Sequence, residues 1–264
     1  MEPAWMGALL ASIGVPIAFM ILRRLYPVPR NVEVRRSLED LRSEYMKWEL
    51  LTLLLLFTIA PIATYVWWQL FLDFAPANCF SHDAAVFSLR PPRIAWLIPA
   101  MVLGLLSAGP LIDAMLRRFL EERYPEYVAY QNLRYGFDSA AIERPFYLAF
   151  GGLAAICVFM IANWYAVFTP AEIRINPFLA VRELEFRYSD VVSIDTAPAF
   201  VAPNGKAVRR REYVLHFSDA SSWSTTNEPS DASEVELRSL VKAVSERSGV
   251  PISEVPILGR EEFW

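Results

Sequence analysis

Four apolar runs, each about 20 residues long, limit what this chain can fold into more than anything else in it. They fall at about 3–22, 50–72, 94–115 and 146–168. A helix rises 1.5 Å per residue, so each run can cross a hydrocarbon layer of roughly 30 Å. The last run, from Phe146 to Phe168, gives way at Thr169-Pro170 to alternating sequence that begins at Ile173. That switch divides the chain into a four-helix transmembrane domain, 1–168, and a soluble domain, 169–264. A sequence that is 55% hydrophobic, with mean hydropathy +0.28 and 20% charged residues, fits apolar blocks alternating with polar ones rather than a single globular core.

The connections between the runs set an orientation. Residues 23–48 hold Arg23, Arg24, Arg30, Arg35, Arg36, Arg42 and Lys47, and residues 117–145 hold Arg117, Arg118, Arg123, Arg134 and Arg144. The connection 73–93 has only Arg90 and Arg93. Short basic connections stay on the cytoplasmic side. Both termini and the Cys79 connection are therefore expected on the outer side of the cell (inner) membrane, which in a bacterium would be the periplasmic side. Trp48, Trp67-Trp68, Trp96, Tyr147 and Trp164-Tyr165 bracket the runs where amphipathic rings favour the head-group layer. The first run lacks a basic segment before it and reads as a retained helix. Pro16, Pro61, Pro99 and Pro110 lie within the runs. Small residues recur four apart at Gly7/Ala11, Gly14/Ala18, Gly104/Ala108 and Gly151/Ala155, a spacing that lets helices approach closely and also suits a homo-oligomer. In the polar connections, Ser37 with Asp40 resembles a capping box. Pro125 and Gly136 frame a short helix from Glu126 to Tyr135.

The tail follows an α+β order. Ile173-Arg174-Ile175 reads as a strand. Arg182–Tyr188 alternates, with Leu184, Phe186 and Tyr188 on one face. Val191–Ile194 follows, Pro203-Asn204-Gly205 signals a hairpin turn, and Val208–Phe217 and Ser222–Thr226 read as two further strands. A final helix is capped by Ser230 or Asp231, carries the stripe Leu237, Leu240, Val241 and Val244, and stops at Gly249 with Pro251.

The run Phe186-Arg187-Tyr188-Ser189-Asp190-Val191-Val192-Ser193-Ile194, then Tyr213–Asp219 with Trp223, then the closing helix to Ser248-Gly249, resembles the bacterial pleckstrin-homology-like domains attached to small membrane proteins. The resemblance covers about 80 residues of the tail and none of the membrane part. It implies a bent antiparallel sheet closed at one end by the last helix, with Tyr188-Ser189-Asp190-Val191 joining two strands. The basic residues that hold phosphoinositides around the first hairpin of lipid-binding pleckstrin domains have no counterpart here. Many members of the family keep this domain in the cytoplasm, opposite to the side indicated by the basic connections.

Candidate functional residues are few. Arg209 and Arg211, within Arg209-Arg210-Arg211, would share a face of a strand and could meet phosphate or carboxylate groups. The competing reading has them solvate a hairpin and pair with Glu212 or Glu185. Asp113 is an intramembrane acid and so a functional candidate, although Arg117 four residues on offers an ordinary ion pair. Cys79, His82 and Asp83 lie close together, but a metal needs three or four converging ligands, and no metal or cofactor is expected. Cys157, the other cysteine, lies in the last run, so no disulfide framework is implied. No phosphate-binding glycine loop, HExxH, CxxC or nucleophile elbow occurs, and no catalytic residue is assigned. A net charge of −4 argues against nucleic acid. The expected function is a binding or assembly module held in the lipid bilayer, working through a protein partner or anionic lipid head groups. The alternative is a small transporter or membrane-embedded enzyme regulated by the soluble domain; the prolines favour it and the scarcity of buried polar residues opposes it.

Overall fold

The computed structural model describes residues 16–29, 34, 36–78, 87–180, 182–201, 205–225 and 230–258, with backbone only for 75–78. Two compact units are present, one within Met1–Trp67 and Pro99–Ala155, the other comprising Trp68–Ile98 and Ile156–Trp264.

The helices are α1 (16–25), α2 (Leu38–Asn78), α3 (Leu97–Leu120), α4 (Tyr124–Tyr135) and α5 (Ser139–Ala162). Among the described residues, three helical stretches are long and apolar enough to cross a membrane: Leu38–Phe74, Arg93–Tyr135 and Ser139–Ala162. Residues 3–15 of the first expected crossing, with Gly7, Ala11 and Gly14, lie outside the described residues. Exposed Leu50, Leu54, Phe57, Leu148 and Phe159 give these helices the outward apolar surface of membrane spans. Ser37 caps α2 as expected, its hydroxyl accepting from the Asp40 amide at 3.2 Å and donating to the Asp40 carboxylate at 2.6 Å. Helix α4 starts at Tyr124, two residues before its expected start, and ends at Gly136, whose φ of 78° is the left-handed cap that a glycine supplies.

The small-residue pairs have different roles. Gly104 is buried, and a Cβ there would lie 2.7 Å from the Thr64 backbone nitrogen, so α2 and α3 touch backbone to backbone. Ala108 is fully buried on the same stripe. At Gly151 a Cβ would meet nothing within 4 Å, and the buried residues of that helix are Ala154 and Ile161.

The fourth crossing, expected at 146–168, is corrected at both ends. Helix α5 begins at Ser139, whose amide donates to the Asn132 side chain at 3.1 Å. It stops at Ala162, where the Asn163 side-chain amide donates to the Phe159 carbonyl at 2.8 Å and the Trp164 amide bonds the Ile161 carbonyl at 3.2 Å. Tyr165–Phe168 is instead a strand, β2, and Phe168 is 1% exposed in the core of the β unit. Apolarity runs unbroken across this junction, and hydropathy does not distinguish a spanning helix from a buried strand.

Strand β1 (Phe87–Leu89) comes from the connection between α2 and α3. It pairs antiparallel with β2, which pairs with β3 (Glu172–Asn176), which pairs with β4 (Leu184–Arg187). A second sheet contains β5 (Val191–Ala197), β8 (Glu212–Phe217) and β9 (Ser222–Ser224) in antiparallel order, with β10 (Ile252–Glu254) parallel on the outer edge of β5. Strands β6 (Phe200–Val201) and β7 (Ala207–Val208) form a small hairpin. Its turn includes Gly205 at φ 77°, while Pro203 and Asn204 lie outside the described residues.

Between β4 and β5 the chain makes a 3₁₀ turn at Tyr188–Asp190, capped where the Asp190 carboxylate accepts from the Arg187 amide at 2.8 Å. Helix α6 (Glu234–Ser248) buries Leu240, Val241 and Val244 in a core shared with Phe168, Ile173, Phe186, Ile194, Leu215, Phe217 and Trp223. The rings of Phe186 and Phe217 stack with centroids 3.8 Å apart. Each such side chain, taken from water, contributes roughly 1.5–3 kcal/mol.

Three further expectations change. The cap of α6 is Ser233, in a capping box with Glu236, rather than Ser230 or Asp231. Val208–Phe217 is broken at 209–211 instead of forming one strand. Leu184, paired with Ile175 in the last rung of the β3–β4 hairpin, is 44% exposed, whereas Phe186 and Tyr188 are buried.

Gly104→Ala is expected to lower stability by about 1–3 kcal/mol through overpacking against Thr64. Gly151→Ala is expected to be neutral or to stabilise by up to about 1 kcal/mol. Thermal unfolding of the two purified variants in one detergent checks the contrast.

Candidate functional site

A cleft of about 640 Å³ in the β unit is assembled from three stretches far apart in sequence. Gln69, Leu72 and Asp73 come from α2, Phe87–Pro91 with Arg93 and Trp96 from the α2–α3 connection, and Ser230–Ala232 with Glu236 from the entry to α6. Sheet pairing fixes Phe87–Leu89, and Pro91 behind them is buried. The Arg93 amide donates to the Asp231 carboxylate at 2.8 Å. The Arg93 carbonyl accepts from the Trp68 indole at 3.0 Å, and the rings of Phe71 and Trp96 lie 5.6 Å apart. Glu236 accepts from the Ser233 amide at 2.7 Å; that bond, with one from the Ser233 hydroxyl, holds its carboxyl below the usual range. The walls thus carry carboxylates from Asp73, Asp231 and Glu236 and guanidiniums from Arg90 and Arg93. Reading 73–93 as an outer loop missed this site; the alternation Phe87-Ser88-Leu89 ahead of Pro91-Pro92 is the signal that could have found it.

The sequence candidates are dispersed. Asp113, near the end of α3, accepts from Arg117 at 2.7 Å and from the Tyr124 hydroxyl, with a side chain 41% exposed. Both carboxylate oxygens are engaged. Arg209 and Arg211 lie between β7 and β8, outside any strand, so the strand-face argument for pairing them does not hold. Arg209 is exposed, and Arg211 lies 3.5 Å from Glu234 and 3.7 Å from Glu254. Arg210, expected to point away, donates to the Thr225 carbonyl at 3.2 Å and lies 3.8 Å from Glu212. Glu212 itself is fully buried, taking a 2.5 Å hydrogen bond from the Thr225 hydroxyl. Its place in the pattern, in the run of buried residues through Leu215, gave no hint of this. His216 lies 3.2 Å from Asp195 across β5 and β8. Cys79, His82 and Asp83 lie outside the described residues, and among the described residues no three His, Cys, Asp or Glu side chains converge.

A second polar cluster joins the ends of the helices within the helical unit. Glu126 accepts from Arg36 at 2.7 Å and from Tyr45 at 2.7 Å. Glu44 meets Arg36 at 2.5 Å and Arg123 at 2.8 Å, and Arg134 pairs with Glu49. Beneath them Tyr45, Tyr127 and Tyr130 are buried, with ring centroids 5.4 and 5.6 Å from Tyr45.

Because Glu212 is buried among hydrogen-bonding partners, Glu212→Ala is expected to cost about 1–3 kcal/mol. Arg209→Ala, at an exposed site, is expected to stay within about 0.5 kcal/mol. Denaturant titration of the two variants, followed by near-ultraviolet circular dichroism, checks this difference.

Comparison with known proteins finds no matching family model, no matching curated protein and no matching solved structure.

Proposed function

We propose that the chain is a four-span protein of the cell (inner) membrane whose pleckstrin-homology-like C-terminal domain docks a protein partner. The observation that carries this reading is the mixed-charge cleft of the β unit, one wall fixed by the β1–β2 pairing and joined to the entry of α6 by the bond from the Arg93 amide to the Asp231 carboxylate. Three carboxylates on its walls repel an anionic head group, and two guanidiniums repel a simple cation. A polypeptide segment, with both signs of charge and backbone dipoles, complements such walls.

The pleckstrin-like build is supported by the two sheets meeting at the Tyr188 turn and by the way α6 closes them. Arg247 of that helix donates to the Thr169 carbonyl at 2.8 Å and to the Tyr188 hydroxyl at 2.9 Å, and Tyr188 donates to Thr169 at 2.7 Å. The fourth span is supported by helical residues 16–25, with Ile17, Met20, Ile21 and Leu25 exposed, and by Arg23, which donates to the Tyr135 carbonyl at 2.7 Å.

Two sets of contacts bear on orientation. The β1–β2 ladder supports a topology in which the α2–α3 connection and the tail share one side of the bilayer. Pairs of Arg36 with Glu126 and Arg123 with Glu44 support one in which the two basic stretches share a side as well. With the basic stretches cytoplasmic, the tail is periplasmic. The transporter reading loses ground because Asp113, its intramembrane acid, already serves an ordinary ion pair with Arg117 and a hydrogen bond from Tyr124.

Orientation is checked with a membrane-impermeant maleimide on intact cells carrying Ser222→Cys, an exposed position, in a Cys79→Ser, Cys157→Ala background. Labelling before lysis is expected, and labelling only after lysis overturns the periplasmic tail. Docking is checked with a photocrosslinking residue at Ser88, in the cleft, against one at Lys242 on α6. A discrete protein adduct at Ser88 alone is expected; only lipid adducts, or equal adducts at both positions, overturn the reading.

A further inference from the structure

We propose that the β3–β4 turn, tipped by Phe178 and Leu179, inserts into the head-group layer of the bilayer that α5 crosses and gives the β unit a second hold on the membrane. This rests on the reading that α5 spans the bilayer.

Helix α5 ends at Ala162, and β2 begins at Tyr165, so only Asn163 and Trp164 separate a membrane helix from the sheet. Trp164 is an indole at a span's end, the setting in which tryptophan settles at the interface. Tyr165 pairs with Asn176, the last residue of β3, which brings the β3–β4 turn to the end of the sheet nearest α5. The rings of Phe178 and Trp164 are 5.1 Å apart, so the turn and the interfacial tryptophan lie at one depth.

The tip is built as a firm apolar point. The Ala180 amide donates to the Pro177 carbonyl at 2.9 Å, closing the turn under Phe178 and Leu179. Phe178 is 41% exposed and Leu179 75%, and Leu184 in the rung below is 44% exposed. Glu183, the nearest acid in sequence, is drawn onto the Tyr165 hydroxyl at 3.1 Å. Arg182 beside it is exposed, a cation of the sign that phosphates favour. Val235 on α6 is as exposed as Leu179, at 74%, but stands alone between Glu234 and Glu236. Clustered apolar side chains leading on from a spanning helix fit lipid as their cover better than water or a partner.

The test uses the full chain reconstituted in phosphatidylcholine–phosphatidylglycerol vesicles, in the Cys79→Ser, Cys157→Ala background. A nitroxide is placed in turn at Leu179→Cys, Val235→Cys and Ile156→Cys, the last 59% exposed on α5. Oxygen collides more often with labels in lipid, and a nickel chelate with labels in water. Oxygen is expected to dominate at 179 and 156, and the chelate at 235. Chelate dominance at 179, or protection from both quenchers there by a protein cover, overturns the inference while oxygen dominance at 156 leaves the spanning reading intact. Chelate dominance at 156 overturns the spanning reading itself, and this inference with it.

Discussion

The ladder between Phe87–Leu89 and Ala166–Phe168 is the constraint on which the rest of the β unit depends. It is short, and its hydrogen bonds contribute about 0.5–1.5 kcal/mol each. Its effect is topological. It joins the connection between α2 and α3 to the segment following α5, so that strands from two places in the chain form one sheet. It also buries Leu89, with Phe87 packed alongside, in the core that Phe168, Trp223 and α6 share. Without it the cleft would lose the wall formed by Phe87–Pro91.

The helical unit solves a related problem with charge. Exposed ion pairs are individually worth about 0–1 kcal/mol, and most pairs at these helix ends are partly exposed. They act as a set because they sit on a layer of buried rings: Tyr45 and Tyr127 meet edge to face, and Tyr130 packs against Tyr45. The Tyr45 hydroxyl is fixed by Glu126, which Arg36 fixes in turn. Arginines weighed in the sequence only as orientation signals thereby join α2 to α4.

Much of the architecture was legible in the sequence, and the misses share a cause. Three of the four apolar runs correspond to long helices among the described residues, because length is a one-dimensional property. Ser37, Gly136 and Gly249 were readable as caps because capping is local chemistry. The end of α5 was not, because Tyr165–Phe168 is as apolar as the helix before it and becomes a strand only through its partners, Glu172–Asn176 and Phe87–Leu89. The cleft was hidden for the same reason, since its three stretches meet only after the sheet forms. At Arg209-Arg210-Arg211 the error lay in assuming a regular strand. A break in the ladder removed the alternation on which the choice of Arg209 and Arg211 rested, and it was Arg210 that came within 3.8 Å of the buried carboxylate of Glu212.

The acids divide by what they do for the fold. Asp113 accepts at both oxygens, from Arg117 and Tyr124; Glu212 is enclosed by the sheet and takes the Thr225 hydroxyl; and Glu126 and Glu44 meet Arg36, Arg123 and Tyr45. The carboxylates of the cleft are placed differently, since Asp73, Asp231 and Glu236 are solvent-exposed. They still serve the fold, because Asp231 takes the Arg93 amide and Glu236 takes the Ser233 amide, so these two carboxylates fix the entry to α6 and the cleft wall beside it while remaining in contact with water. Buried or exposed, the acids of this chain act first on its own backbone and arginines, which is why their positions follow the capping and pairing of the elements.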